Sequence, residues 1–385
     1  MRRNDHAVRA SGILVVVCVA AHLLVASSYR AGAQDLPATY FAPKAQAIAD
    51  GATPYLQVPY EYPPATIPLL LAPRALGGDT PTAYHQRMIW LYAGVDVAIV
   101  LLLGHVLRRR PWELTGALVV WSACVLGLGR VSLTRFDIVV GLAVLAAALA
   151  LERRPRIAGA ALGIAAALKI GPLAGAAGLP RRAWAPALAL PIAAQLAFVS
   201  LTGCWGLEWV RYHLDRSPQL ESWAAVVAEL ADRAGIAGAR IAFDHGSWNA
   251  TGSFADFAGR LSAVVLVGVV VLVARRARPS AITLLAGLGA VVAFGSVLSP
   301  QYLLWLAPLS ALIAARYPLQ AVLLVATCAL TRLELWLTID DLPALSSTGL
   351  AVIVARNVVL LGWLVAVYRA SARNTSQAGL RVPLA

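Results

Sequence analysis

Charged residues are scarce in this sequence. They make up 13% of its 385 residues, about half the share in an average globular protein, whereas 59% are hydrophobic. The mean hydropathy is +0.72. Because too few polar side chains are present to cover the surface of a soluble fold, the composition excludes a cytosolic enzyme, a disordered chain and a secreted disulfide scaffold. It predicts a polytopic membrane protein.

Cysteine and lysine are also rare. The four cysteines show no CxxC or other metal-binding spacing. Only two of the 32 basic residues are lysines, Lys44 and Lys169. The arginines fall mostly in short clusters between apolar runs and form no contiguous basic face, so the net charge of +13 does not indicate nucleic-acid binding.

Apolar runs and arginine clusters together predict the topology. Clusters such as Arg108-Arg109-Arg110 lie where the positive-inside rule places cytoplasmic loops. Both termini are therefore expected in the cytoplasm, and two long polar loops, residues 28–87 and 202–260, are expected outside. Ten runs are expected to cross the bilayer: Ile13–Ser27, Met88–Leu107, Leu114–Leu128, Ile138–Leu151, Ala185–Leu201, Leu261–Ala274, Ile282–Leu298, Leu303–Ala315, Ala321–Leu337 and Leu350–Val367.

One further apolar stretch, residues 157–179, has arginine clusters at both ends. A single crossing would put these clusters on opposite sides, so we predict two short helices hinged near Lys169-Ile170-Gly171-Pro172, where Gly-Pro breaks a helix. The expected fold is an all-α bundle of about twelve helices that forms one integral-membrane domain over residues 1–385. Ala31-Gly32-Ala33 also fits a signal-peptidase site, so cleavage of the first helix is an alternative.

The first outer loop places an acid, Asp35, just beyond the first membrane helix. There a lipid headgroup and an acceptor hydroxyl can meet, and a carboxylate can act as general base. The structural alternative is a helix cap, because Asp with Pro close behind is typical of a helix start. Asp50 is the second candidate base, although Asp50-Gly51 is typical of a turn.

Several motifs, each weak alone, follow one another along the chain. They are Asp35, Tyr40, Ala49-Asp50-Gly51, Pro54-Tyr55, Tyr60-Glu61-Tyr62-Pro63-Pro64, Arg135-Phe136-Asp137, Ala158-Gly159 through Lys169-Ile170-Gly171-Pro172, Arg216 through Ser222, and Ser299-Pro300-Gln301-Tyr302. In this order the sequence resembles glycosyltransferase family 87, the polyprenyl-phosphate-sugar-dependent mannosyltransferases of the GT-C superfamily. The resemblance covers roughly residues 10–365.

The resemblance implies a GT-C-type enzyme that works on the extracytoplasmic face of a bacterial plasma membrane. Its donor would be a polyprenyl-phosphate sugar carrying a hexose, with mannose favoured and a pentose left open. Its acceptor would be a hydroxyl of a glycolipid or a cell-envelope glycan, and its catalytic base would be Asp35. No cofactor is expected, and no metal is expected either, because no second His or acid recurs near Asp244-His245 at ligand spacing. The other expected partner is the lipid bilayer.

Two cations are candidates for binding the donor phosphate. Arg135 lies at an outer helix end, where its structural alternatives are an interface anchor or a partner of Asp137. Lys169 lies within an apolar stretch, where a charge costs several kcal/mol unless it faces a cavity or a partner, and Asp96 is the alternative partner. Candidate substrate-binding residues are Tyr55, Tyr60, Glu61, Tyr62, Gln301 and Tyr302. For the three tyrosines Tyr55, Tyr60 and Tyr62 the alternative is an interfacial aromatic belt, and for Glu61 it is an ordinary solvated acid.

A transporter or lipid flippase is the alternative function. It would use Lys169, Arg356 and Asp96 as a polar pathway through the membrane. The sequence shows no internal repeat, which disfavours the inverted-repeat transporter folds. Polar residues are also concentrated in the two outer loops, which favours the enzyme.

Overall fold

The structure is a computed structural model that describes residues 2–276, 278–338 and 345–373. It is 77% helical, with sixteen α-helices in the described part of the chain and very little sheet. The prediction of an all-α polytopic membrane protein is confirmed. Of the arginines after the last expected span, Arg369 and Arg373 lie in the last helix, whereas Arg381 lies outside the described residues.

The helices and strands follow one another in this order. The helices are α1 Arg2–Ser28, α2 Ala42–Ala49, α3 Ile67–Ala75, α4 Pro81–Leu107, α5 Pro111–Leu128, α6 Arg130–Thr134, α7 Asp137–Ala150, α8 Pro155–Leu168, α9 Trp184–Thr202, α10 Glu208–Asp215, α11 Trp223–Arg233, α12 Ser253–Arg276, α13 Ala281–Phe294, α14 Leu303–Leu312, α15 Pro318–Thr338 and α16 Ser347–Arg373. Two strands, β1 Arg240–Asp244 and β2 Ser247–Thr251, pair in an antiparallel hairpin between α11 and α12. A π-helix covers Pro37–Phe41, and 3-10 turns cover Pro64–Thr66, Gly171–Gly178, Arg181–Ala183, Gly203–Leu207 and Pro300–Tyr302.

Seven helices in the described residues are long and apolar enough to cross a membrane. These candidate spans are Ala7–Ser28, Pro81–Leu107, Pro111–Leu128, Arg181–Asp215, Ser253–Arg276, Pro318–Leu337 and Ser347–Arg373. Three more helices, α7, α8 and α13, are apolar but only 14 residues long. At 1.5 Å per residue they span about 21 Å, less than the hydrocarbon core of about 30 Å.

The stretch at residues 157–179 forms a broken pair of short helices, as predicted. Helix α8 ends at Leu168, and Lys169 takes an extended conformation with φ −151° and ψ 125°. The chain then continues as the 3-10 helix Gly171–Gly178, which starts with Pro172 near its N-terminus and packs back against α8. Proline lacks the N–H that would continue α8, so the break presents Lys169 at the tip of the pair.

Two helices beside the long loops extend beyond their apolar runs. Helix α4 begins at Pro81 instead of Met88, because the Thr80 hydroxyl accepts the backbone N–H of Ala83 at 3.2 Å and caps the helix. Helix α12 begins at Ser253 instead of Leu261. The hairpin in the second loop was not predicted. Both loops therefore contain more regular structure than their polarity indicates.

The buried charges of the bundle lie in separate clusters. Asp96 on α4 accepts hydrogen bonds from Trp121 (2.7 Å) and contacts His22 on α1 at 2.6 Å. Asp96 is therefore not the partner of Lys169, and that alternative is wrong. Arg356 on α16 instead pairs with Glu334 on α15 at 3.3 Å.

The contact between His22 and Asp96 joins α1 to α4. Because most of the α1 surface faces outward, α1 has little other buried surface to hold it against the bundle. We expect His22→Ala and Asp96→Ala each to destabilise the protein, and the double variant to show a coupling energy of about 1 kcal/mol, as polar pairs in membranes do. The measurement is unfolding in mixed SDS micelles. Leu24→Ala is the control, because Leu24 is 71% exposed on the same helix. A coupling energy near zero would show that the pair does not hold α1.

Candidate active site

A cavity of about 210 Å³ lies between the two long loops, residues 28–87 and 202–260. Segments distant in sequence form its wall: residues 36–41 and 61–62 of the first loop, 131–135 around α6, and 212–221 and 245–247 of the second loop. The tip of the broken helix pair and residues 299–302 complete it. The hairpin turn reaches the cavity through His245 and Gly246, which both have positive φ. The cavity therefore depends on the fold of both long loops and of the helix ends beside them.

Lys169 is a buried cation in this wall, with 8% of its surface exposed. Its ammonium group lies over the rings of Tyr62, at 4.3 Å from the centroid, and Tyr302, at 4.9 Å. The nearest carboxylate, Asp137, is 3.8 Å away and also accepts a hydrogen bond from Trp305 at 2.9 Å. The aromatic faces and the one shared carboxylate stabilise the positive charge of Lys169. The ammonium group still faces the cavity.

Arg135 and Arg216 line the same cavity. The Arg135 guanidinium lies 5.6 Å from the centroid of the Phe41 ring, and Arg216 donates hydrogen bonds to the side chains of Asn249 (3.4 Å) and Ser247. Among the described residues, neither arginine forms an ion pair with a carboxylate. Two guanidinium groups with neutral partners and one ammonium group thus give one cavity three positive charges.

Glu61 is a buried acid on another part of the wall. It accepts a hydrogen bond from the Tyr40 hydroxyl at 2.9 Å, and the Lys44 ammonium lies 3.4 Å away. Burial raises the pKa of Tyr40, and the neighbouring Glu61 adds to this, so the hydroxyl stays protonated and donates. Burial lowers the pKa of Lys44, while Glu61 opposes that shift. The cluster combines hydrogen-bond donors and acceptors suited to sugar hydroxyls.

A second acid of the cavity wall, Glu221, carries less negative charge than an ordinary carboxylate. Burial raises its pKa, and the nearby Glu334 carboxylate raises it further. Its backbone carbonyl accepts hydrogen bonds from Arg356 at 2.8 Å and Asn357 at 3.1 Å, which fix this segment of the second loop against α16. Glu221 therefore opposes a bound anion less than its residue type indicates.

The structure separates the predicted substrate-binding residues into two groups. Glu61, Tyr62, Gln301 and Tyr302 line the cavity. Tyr55 and Tyr60 are buried outside its wall. The Tyr55 hydroxyl donates to the Tyr62 carbonyl at 2.6 Å, and the Tyr60 hydroxyl hydrogen-bonds with Thr66 at 2.9 Å. These two tyrosines support the segment that carries Tyr62.

Asp35 is not among the residues that line the cavity. Its neighbour Leu36 is part of the wall, and the Asp35 side chain is 30% exposed. One carboxylate oxygen accepts the backbone N–H of Gly32 at 2.8 Å. Arg130 Nη1 and His85 Nδ1 each approach the carboxylate to 3.4 Å. Three groups therefore fix the orientation of this acid.

The cap alternative for Asp35 does not describe its side chain. The carboxylate turns back to Gly32, and the π-helix that follows has no side-chain cap. Asp50, the second candidate base, is exposed at the C-terminal end of α2 and accepts a hydrogen bond from Gln46 at 2.6 Å. Gly51 follows with φ 99°, so this dipeptide forms the turn that its sequence indicates.

Sequence reasoning assigned no role to several residues that surround these groups. Arg216 opens one of the motifs in the second loop, so its position in the sequence was a usable signal. The others have no sequence signal, because only the tertiary fold brings them to the site. They are Lys44, His85, Arg130, Tyr212 and His213.

The comparison with known protein families identifies a match. The family model of glycosyltransferase family 87 matches residues 60–300, which is more than half of the chain. The match includes Glu61, Arg135, Lys169 and Arg216, whereas Asp35 lies before it. A search of curated proteins and a search of solved structures found no match. The chain belongs to glycosyltransferase family 87.

Proposed function

We propose that this membrane glycosyltransferase takes a hexose from a polyprenyl-phosphate sugar and transfers it to a hydroxyl of a glycolipid or a cell-envelope glycan. Mannose is the favoured sugar because of the family resemblance. The observation that carries the proposal is the cavity lined by Arg135, Lys169 and Arg216. It combines three cations with sugar-binding side chains at the outer side of a membrane bundle.

The cations suit the leaving group of such a donor. As the glycosidic bond breaks, negative charge grows on the polyprenyl phosphate, and cations already in place stabilise that charge. Lys169 is buried at the tip of a broken helix pair. Its charge is therefore in position before the donor arrives, and Arg135 and Arg216 complete the site from the two sides of the cavity wall.

The three cations and the Asp35 carboxylate have different roles in the reaction. The acceptor oxygen bonds to the anomeric carbon, and the bond from that carbon to the phosphate oxygen breaks. Its electron pair stays on the polyprenyl phosphate, and the proton of the acceptor hydroxyl passes to the Asp35 carboxylate. Attack opposite the leaving group gives inversion, as the family resemblance implies. The acceptor would enter at the edge of the cavity beside Leu36.

We also propose that the site lies on the extracytoplasmic face of a bacterial plasma membrane and that both termini are cytoplasmic. The arginine clusters support this orientation, because they lie at the ends of the bundle away from the two long loops. A transporter gains no support from the buried charges, since Asp96, Lys169 and Arg356 each contact a different acid or histidine.

Removing the base tests the catalytic assignment. We expect Asp35→Asn to lower kcat by about 10²- to 10⁴-fold, the usual contribution of general base catalysis. The measurement is transfer of radiolabelled mannose from polyprenyl-phosphate-mannose to membrane-extracted lipid acceptors by the purified protein in nanodiscs. Asp79→Asn is the matched control, because Asp79 is an exposed acid of the same loop. Full activity of Asp35→Asn combined with loss of activity in Asp50→Asn would transfer the role to Asp50.

Removing a cation tests the phosphate site. Arg216→Gln and Arg135→Gln leave no buried acid unpaired, since both arginines have neutral partners. We expect each to lower kcat/KM by about 10²-fold and to weaken inhibition by free polyprenyl phosphate. Arg87→Gln is the control, because Arg87 is exposed at the outer end of α4. Unchanged inhibition in both variants would place the donor phosphate elsewhere.

Lys169 needs a second variant, because its loss leaves Asp137 buried without a cation. We expect Lys169→Met to abolish transfer and to lower the melting temperature. Lys169→Met with Asp137→Asn should regain the melting temperature without regaining transfer. If the double variant regained both, Lys169 would have only a structural role.

A further inference from the structure

We infer that His85 is a positioning residue for Asp35, and this rests on the role of Asp35 as base proposed above. His85 is 1% exposed and lies in the second turn of α4. Its Nδ1 atom lies 3.4 Å from an Asp35 carboxylate oxygen and 3.5 Å from the carbonyl oxygen of Gly32. Through these two contacts, the ring meets both ends of the turn that holds the base.

The start of α4 places the imidazole there. Pro81 begins the helix and the Thr80 hydroxyl caps it, so the first turns of α4 are fixed relative to the loop that precedes them. The side chain of His85 then points beneath the turn between Gly32 and Asp35, 53 and 50 residues earlier in the chain. A histidine on a rigid helix can thus hold a carboxylate that sits on a loop.

The groups around the His85 ring indicate which of its two nitrogens carries the hydrogen. The Nδ1 atom hydrogen-bonds with the Gly32 carbonyl oxygen, which can only accept, so Nδ1 carries the hydrogen, and the Asp35 carboxylate lies beside that N–H at 3.4 Å. The other ring nitrogen, Nε2, is buried and has no hydrogen-bond partner among the described residues. An unpaired buried nitrogen costs free energy that an apolar side chain of the same size would avoid. The benefit of a histidine at this position is therefore the Nδ1 contact.

The packing leaves the carboxylate little freedom on its other sides. A Cβ atom at Gly32 would lie 2.8 Å from the Asp35 carboxylate, so only glycine allows this close approach. The Gly32 N–H donates from that side at 2.8 Å, and Arg130 approaches at 3.4 Å from α6. Arg130 is half-exposed, whereas the imidazole is fully enclosed. His85 is thus the rigid side-chain contact of the base.

A base that is held less rigidly reacts more slowly without binding the donor less tightly, because the donor phosphate is bound by other residues. A misplacement of about 1 Å can cost about 10²-fold in rate. We therefore expect His85→Ala to lower kcat by tenfold to 10²-fold while KM for polyprenyl-phosphate-mannose changes by less than about twofold. His85→Asn retains an N–H near the Nδ1 position and should regain much of the rate. His85→Phe retains the ring volume without the N–H and should not.

The experiment uses the full chain in nanodiscs, with polyprenyl-phosphate-mannose as donor and membrane-extracted lipids as acceptors. Melting temperatures are measured for every variant, and His105→Ala, an exposed histidine at the other end of α4, is the control. Equal kcat for His85→Asn and His85→Phe would overturn the inference, because ring contact and not the N–H would then matter. If His85→Ala does not fold, the difference in kcat between His85→Asn and His85→Phe still tests the inference.

The outcome for Asp35 separates this inference from the proposed function. If Asp35→Asn is inactive and all His85 variants keep the wild-type kcat, only the role of His85 is refuted. If Asp35→Asn is fully active, the base itself is refuted and His85 has nothing to position. Loss of kcat in His85→Ala with rescue in His85→Asn, together with an inactive Asp35→Asn, supports both.

Discussion

A lysine ammonium group buried inside an apolar bundle is the constraint from which the arrangement of the site follows. A charge at that position is stable only beside a partner or a polar cavity. The chain supplies one shared carboxylate, Asp137, and the faces of aromatic rings, and it breaks α8 so that Lys169 stands at a tip. Tyr62 and Tyr302, whose rings lie against the ammonium group, are therefore also part of the cavity wall, whereas Asp137 is not.

The outer loops arrange the other groups around this charge. Arg135 reaches the cavity from the end of α6 and Arg216 from the end of α10, each with neutral partners. Asp35 precedes Leu36 of the cavity wall and is held by the Gly32 N–H and Arg130, whereas the three cations line the cavity itself. A cationic region and a separate carboxylate fit a transfer in which one group leaves with negative charge and another loses a proton.

Much of the fold followed from the sequence, whereas the contacts of the site did not. Arginine clusters at both ends of residues 157–179 predicted the break at Lys169, because the positive-inside rule acts on sequence-local patterns. The prediction that Asp96 could pair with Lys169 was wrong. Helix α1 packs against α4, and this packing places His22 in contact with Asp96. Tyr55 and Tyr60 could not be told apart from Tyr62, because an irregular loop has no periodicity that shows which side chains face a cavity.

The most direct test of the account is a cryo-EM structure of the protein in nanodiscs with polyprenyl-phosphate-mannose bound. The account predicts the donor phosphate within hydrogen-bond distance of Lys169, Arg135 and Arg216, with the mannose beside Glu61 and its anomeric carbon open towards Asp35. A phosphate bound outside this cavity, or a sugar whose anomeric carbon is turned away from Asp35, would contradict it.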